Sequence, residues 1–193
     1  MKTYKNNLHH FKSLLEALEQ MPTIGKKSAL KMAYALSVEN KFLGLKIAHC
    51  IENAINNVKE CEICNALSEN EICEVCIDST RDTSQLCMVL HSKDIFTIEE
   101  TGDYKGIYFV IKNLEEINFV QLKQHLKEKN TQEIIFAFTP TLANDAIMIY
   151  IEDKLKDLNL TFSKIAQGVP TGIGLDHVDQ LSLSRALTSR IKI

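Results

Sequence analysis

The sequence predicts an α/β protein: a helical amino-terminal region, a small four-cysteine knuckle, a parallel sheet flanked by helices, and a C-terminal strand/helix extension. Three observations carry that expectation. Apolar residues recur at helical spacing as far as Val58, four cysteines fall within sixteen residues from Cys61, and strand-like and helix-like runs alternate thereafter. At 193 residues and 45% hydrophobic content, the chain can bury a sizeable core in one medium domain or two or three small ones.

Leu8, Phe11, Leu14, Leu15 and Leu18 define a first amphipathic helix that breaks at Pro22. Thr23, Ile24, Gly25, Lys26 and Lys27 follow, and Met32, Ala33 and Leu36 mark a second helical face. The pattern is similar to a helix-hairpin-helix. Gly25 would let the backbone approach a phosphate closely, and the free N–H groups opening the next helix would bind its oxygens. Lys26, Lys27 and Lys31 add positive charge, so Ile24, Gly25, Lys26, Lys27 and Lys31 are the candidate DNA contacts, blind to base sequence. Thr23 stands where that motif normally has its first glycine. The plainer alternative is an ordinary turn with solvated lysines. A third helix, with Leu45, Ala48, Ile51, Ile55 and Val58 as its expected buried stripe, leads to the cysteines.

Charge separates this region from the rest. Residues 1–60 carry nine lysines against five acids, whereas residues 61–193 carry thirteen basic against twenty acidic groups. A phosphate-backbone contact therefore belongs to the first third of the chain.

Cys61 and Cys64, and again Cys73 and Cys76, are spaced so that one tight turn can aim two thiolates at the same ion. Two such turns complete a tetrahedral sulfur shell, the closed geometry of a structural Zn²⁺ with no open position for catalysis. The linking residues 65–72 are too few and too polar to form a core, so the metal must stabilise them, by roughly 10–16 kcal/mol in comparable modules. Two disulfides, or four packed thiols, are the alternatives. Cys50 and Cys87 lie in apolar runs, where cysteine acts as a small hydrophobe. The six histidines show no metal-like pairing with carboxylates.

Beyond the knuckle, strands are expected at 85–90, 106–111, 133–138 and 160–166, and helices at 92–100, 116–128 and 143–158. Alternation with short turns implies a parallel sheet covered on both faces, with functional groups beyond the carboxyl ends of its strands. Those ends are Leu90–His91 and Phe138–Thr141.

The order of these parts, with several local runs, resembles the RecR family of bacterial recombination mediators. The runs are residues 77–87, residues 98–108 (Ile98, Glu99, Thr101, Gly102, Tyr104, Gly106, Tyr108), and Gly168, Pro170, Gly172, Leu175, Asp179 and residues 183–187. The resemblance implies a Toprim-type α/β domain and ring-like homo-oligomers, dimer or tetramer, that clamp DNA. It also implies action with RecO and RecF to help RecA load on gapped or single-stranded DNA. The parts would be a helix-hairpin-helix region (1–58), a zinc finger (59–79), a Toprim-like domain (80–166) and an oligomerisation segment (167–193).

The chain departs from the Toprim pattern where a catalyst keeps its acids. Leu90 takes the place of the first-strand glutamate, with His91 beside it, and of the later acidic motif only Asp145 survives, with Ala143 in an acidic position. One carboxylate does not hold Mg²⁺ for phosphoryl transfer. A non-enzymatic repair scaffold is therefore expected over a Toprim nuclease or primase, and over a zinc module that binds only proteins. Gly168, Gly172 and Gly174 lack the Gly-Lys-Ser/Thr of a phosphate-binding loop. The run at 176–189, with Leu181, Leu183 and Leu187, is expected to form a subunit contact. The opening residues lack a signal-peptide pattern and no apolar run is long enough to span a membrane, so a cytoplasmic location is expected.

Overall fold

The computed structural model describes residues 7–166, 175–180 and 182–184. The described residues fall into two compact units that divide between Val58 and Lys59. The architecture is mixed α/β, as the sequence predicts.

In the first unit, α1 (His9–Glu19) packs on α2 (Lys26–Tyr34). Phe11, Leu14, Leu15 and Leu18 of α1 are half-buried, and α2 faces them with Ala29 and Ala33, both fully buried. Two alanines four apart lie on one helix face and let the two backbones approach. Met32, expected on the buried face, is instead exposed. After α2 the chain makes a π-helical turn (Ala35–Glu39) before α3 (Lys41–Asn57). Asn40 caps α3, its side chain accepting the Leu43 N–H at 2.9 Å. Gly44 in the first turn of α3 lies against the Leu36 carbonyl, where a Cβ would collide with backbone.

The expected buried stripe of α3 is not buried. Leu45, Ala48, Ile51, Ile55 and Val58 are all exposed, as is Phe42 at 80%. Helical periodicity gives α3 an apolar face, but among the described residues no element covers it. Cys50 on the same helix is likewise exposed and not packed away.

The second unit opens with a two-stranded hairpin, β1 (Lys59–Glu60) antiparallel to β2 (Leu67–Ser68), followed by a single helical turn, α4 (Glu74–Ile77). Among the described residues, the sheet that follows has four parallel strands: β3 (Asp82–Val89), β4 (Gly106–Val110), β5 (Glu133–Phe136) and β6 (Thr161–Lys164), in the order β4-β3-β5-β6. The connecting helices are α5 (Ser92–Thr101), α6 (Phe119–Glu128) and α7 (Leu142–Leu155). Gly102 ends α5 in the left-handed conformation at φ 70°, which favours glycine.

Side chains alternate along the strands, so the sheet has two buried faces. Leu86, Met88, Ile107, Phe109, Ile134 and Phe136 pack with Leu122 and Leu126 of α6 and Ile151 and Leu155 of α7. Cys87, Val89, Tyr108 and Val110 pack with Ile95 of α5 and with Cys61, Cys64, Ala66 and Cys73. The cysteine knuckle therefore serves as cover on a face that α5 does not fill alone.

Several boundaries differ from expectation. β3 begins three residues earlier, at polar Asp82, because those residues run beside β4 up to a register irregularity before Leu86. Residues 114–116 form a separate 3₁₀ turn ahead of α6. β5 and β6 are shorter than their apolar runs. Asp176 and His177 lie in a 3₁₀ turn, Val178 and Asp179 are not helical, and residues 180 and 182–184 are, while residue 181 and residues 185–189 lie outside the described residues.

Candidate functional site

Backbone geometry brings the four cysteines together. Asn65, left-handed at φ 59°, closes the first knuckle: its N–H donates to the Cys61 carbonyl at 2.9 Å, and the Cys61 N–H donates to the Ala66 carbonyl at 2.8 Å. The second knuckle is the turn of α4, where the Cys76 N–H donates to the Cys73 carbonyl at 3.0 Å. All four sulfurs lie within 4.8 Å of one another. Cys61 and Cys76 Sγ are 3.8 Å apart, and Cys64 and Cys73 Sγ 3.5 Å.

The set fits zinc. A tetrahedron with Zn–S bonds of about 2.3 Å has S···S edges of about 3.8 Å. The sulfurs are far outside disulfide bonding distance, and none of the cysteines forms a disulfide. The Cys73 N–H also donates to Cys61 Sγ at 3.3 Å, as backbone amides do to metal-bound thiolates. Without a cation the shell is in electrostatic conflict. Hydrogen bonds from Cys64 and Cys76 pull the Cys73 thiol down, and those with Cys73 and Cys76, followed by burial, push the Cys64 thiol up. A divalent ion resolves the conflict by letting all four ionise. Cys61, Cys64, Cys73 and Cys76 would hold the ion, which would lock the knuckle.

Comparison with known proteins then decides the family. Family models match in three places: the RecR helix-hairpin-helix at residues 11–55, the RecR four-cysteine zinc finger domain at 58–78 and the RecR C-terminal domain at 168–191. The recombination protein RecR of Helicobacter pylori (strain Shi470) is 58% identical over 192 residues, covering 100% of both chains. The chain belongs to the RecR family. The RecR proteins of Nitratiruptor sp. (49% identical; 98% of this chain, 100% of that one) and Campylobacter jejuni subsp. doylei (51%; 96% and 98%) are also similar along their lengths. The zinc centre is thus the four-cysteine zinc finger of a RecR-family chain, with one structural zinc.

The hairpin of the RecR helix-hairpin-helix lies between α1 and α2. Thr23 holds φ 66°, so the left-handed turn is made by a β-branched residue where the motif normally has glycine. Gly25, by contrast, has an ordinary φ of −86° and serves as N-cap of α2 with no side chain to satisfy the free N–H groups. A Cβ there would meet nothing within 4 Å. Neither backbone conformation nor packing within the chain therefore demands glycine at 25. Lys26 and Lys27 open α2, Lys31 lies one turn beyond Lys27 on the same face, and all three are exposed, with no acid in the first turn. Ile24 is half-buried, and its N–H donates to the Met21 carbonyl at 3.2 Å.

At the carboxyl ends of β3 and β5 a cleft of about 1140 Å³ is lined by Leu90, His91, Phe138, Thr139 and Asn144, among others. Leu90 packs against the core, and Asn144 Nδ2 donates to the Thr139 carbonyl at 2.7 Å. Asp145 is turned toward Lys164, at 3.9 Å. Among the described residues, the four cysteines are the only group of three or more His, Cys, Asp or Glu side chains close enough to share an ion. Burial pushes the Cys87 thiol up to about 12, which leaves it un-ionised and unreactive.

One network was invisible to spacing. Arg81 grips Glu99 through both terminal guanidinium nitrogens, at 2.8 and 2.5 Å, and Tyr108 donates its hydroxyl to the same carboxylate at 2.5 Å. The Arg81 bonds, reinforced by Tyr108, hold the Glu99 carboxyl below its usual range, and Glu99 in turn raises Arg81. This ties the segment after the zinc finger to α5 and β4. Of the residues expected at a subunit contact, Leu183 is half-buried in a short turn capped by Asp179, whose side chain accepts the Ser182 N–H at 2.9 Å. Leu181, Leu187, Gly168, Gly172 and Gly174 lie outside the described residues.

Proposed function

We propose that the chain is a non-enzymatic DNA-binding scaffold of recombinational repair, an oligomeric clamp that acts with RecO and RecF to help load RecA on gapped or single-stranded DNA. The observation that carries the reading is the start of α2. Gly25 leaves an uncapped helix N-terminus open to an outside group, flanked by exposed Lys26 and Lys27. Free N–H groups and lysines at a helix start suit a backbone phosphate and read no base. Lys31 extends the same positive face, and Ile24 holds the hairpin in place. Family membership supports the partner assignments.

A scaffold role is supported by the state of the Toprim corner, where Leu90 and Ala143 supply no ligand and Asp145 faces Lys164. Homo-oligomer formation is supported by the uncovered apolar face of α3, in addition to the contact proposed for Leu181, Leu183 and Leu187. The working domains are residues 1–58, 59–79, 80–166 and 167–193. No described helix is long and apolar enough to cross a membrane, which accords with the proposed cytoplasmic location.

Binding of zinc-loaded protein to gapped duplex, titrated with salt and checked for cleavage in Mg²⁺, tests the reading. Lys26→Glu/Lys27→Glu should weaken binding to all sequences alike and make the salt slope shallower by about 2, since each phosphate contact contributes roughly 0.9. Unchanged binding by that variant would remove the helix-hairpin-helix from the DNA interface. Mg²⁺-dependent cleavage would restore the Toprim enzyme reading.

A further inference from the structure

The four sulfurs of the zinc centre are not equally protected. Cys61 and Cys64 are each 1% exposed and Cys73 6%, whereas Cys76, at the end of α4 beside strongly exposed Ile77, is only partly covered. Across the shell, Cys61 Sγ lies 3.8 Å from Cys76 Sγ, close enough for the two to join with little movement. A zinc-bound sulfur is a thiolate, the nucleophilic form of cysteine, and oxidation follows thiolate character and exposure together. We propose that Cys76 is a peroxide-sensing site, with Cys61 as its resolving cysteine, and that its oxidation opens the zinc finger reversibly.

The chemistry closes. The Cys76 thiolate attacks one oxygen of a hydroperoxide, the O–O bond breaks, and the departing hydroxide takes a proton to leave as water. Cys76 is thereby oxidised by two electrons to a sulfenic acid. The Cys61 thiolate attacks that sulfur, an S–S bond forms as the S–O bond breaks, and a second hydroxide leaves as water with another proton. In sum, two thiolates, one hydrogen peroxide and two protons give one disulfide and two waters. Two thiolates remain, too few for the closed shell, and the ion is released.

The consequence lies in what the knuckle holds. The Val110 N–H donates to the Cys64 carbonyl at 2.8 Å, and Asn65 Nδ2 donates to the Val110 carbonyl at 3.2 Å. Cys61, Cys64, Ala66 and Cys73 belong to the core on the α5 face of the sheet. Opening the shell therefore loosens both the end of β4 and one face of the sheet. A thiol reductant with zinc should reverse the change.

The test uses the full-length, zinc-loaded chain with Cys50→Ser, which removes the exposed thiol of α3 and leaves the zinc ligands untouched. Hydrogen peroxide is added stepwise, released zinc is read with a chelating dye, and cysteines are mapped by dimedone trapping, differential alkylation and mass spectrometry. The expected result is a first dimedone adduct on Cys76, then a Cys61–Cys76 disulfide appearing with zinc loss, both undone by reductant and zinc. A first adduct on Cys61, Cys64 or Cys73 overturns the proposal. So does full zinc retention with an unmodified Cys76 at roughly tenfold excess peroxide. Cys76→His keeps a four-ligand shell without a thiolate at the exposed corner, and zinc release should slow by roughly tenfold or more. Release at the parental rate overturns the proposal as well, and the mapping on the parent chain decides it even where the histidine variant fails to fold.

Discussion

Thr23 holds a left-handed backbone with a β-branched side chain, a conformation that costs a non-glycine residue about 1–2 kcal/mol. Thr23→Gly should therefore stabilise the amino-terminal unit by about 1 kcal/mol, read as a higher denaturant midpoint of that unit's transition. A lower midpoint would show that the threonine makes a compensating contact. Glu99 presents the opposite case, a side chain well served by its surroundings. Glu99→Gln loses the charge-assisted grip of Arg81 and should cost about 1–2 kcal/mol. The sign of its pH dependence follows from the lowered Glu99 pKa. The folded state gains from the ionised carboxylate above the ordinary value of 4.5, and that gain is lost as pH falls through the depressed folded value. The stability difference between parent and variant, which cancels the zinc contribution common to both, should be full above pH 4.5 and shrink below it. Denaturant titrations of both proteins across that range check it. The Arg81–Glu99–Tyr108 network was illegible in the sequence because its members lie 18 and 9 residues apart and meet only when β3, α5 and β4 are assembled.

The zinc finger was the most legible element, since ligand spacing is local and the turn that fills it follows from two residues between cysteines. Its structural role was not legible, because nothing in the spacing says that the knuckle completes a sheet face. Cys61→Ser should abolish zinc binding and expose that face, seen as metal content near zero and new binding of a hydrophobic dye. A folded, dye-silent, zinc-free Cys61→Ser protein would contradict the assignment. The parallel sheet was legible from alternation, but strand ends were not. Polar Asp82, Thr83 and Ser84 continue β3, where apolar patterning gives no signal. Ala137 and Phe138 lie beyond β5 yet remain apolar, because they pack into the two cores past its end. For α3, periodicity identified an apolar face and supplied no information about its cover. That is where the sequence reading failed.

At the scale of the molecule, the uncovered stripe of α3 is the surface on which the proposed homo-oligomer is tested. Ile51 and Ile55 are 55% and 74% exposed, four residues apart on one face. Ile51→Asp/Ile55→Asp should lower the molar mass seen by light scattering while leaving zinc content and unfolding of the second unit unchanged. An unaltered mass would place the subunit contact elsewhere, with the carboxyl-terminal leucines as the next segment to substitute.

β4 gives the zinc centre a further meaning. Its residues, Gly106 to Val110, are all buried, and among the described residues it is an edge strand of the sheet, with the knuckle bonded to its end. An unguarded apolar edge invites pairing with the edge of another chain. Chelation should thus turn a discrete protein into one that self-associates through β4, and do so faster at higher chain concentration. On that prediction, zinc supply during synthesis would set how much of the chain escapes self-association, before any question of DNA arises.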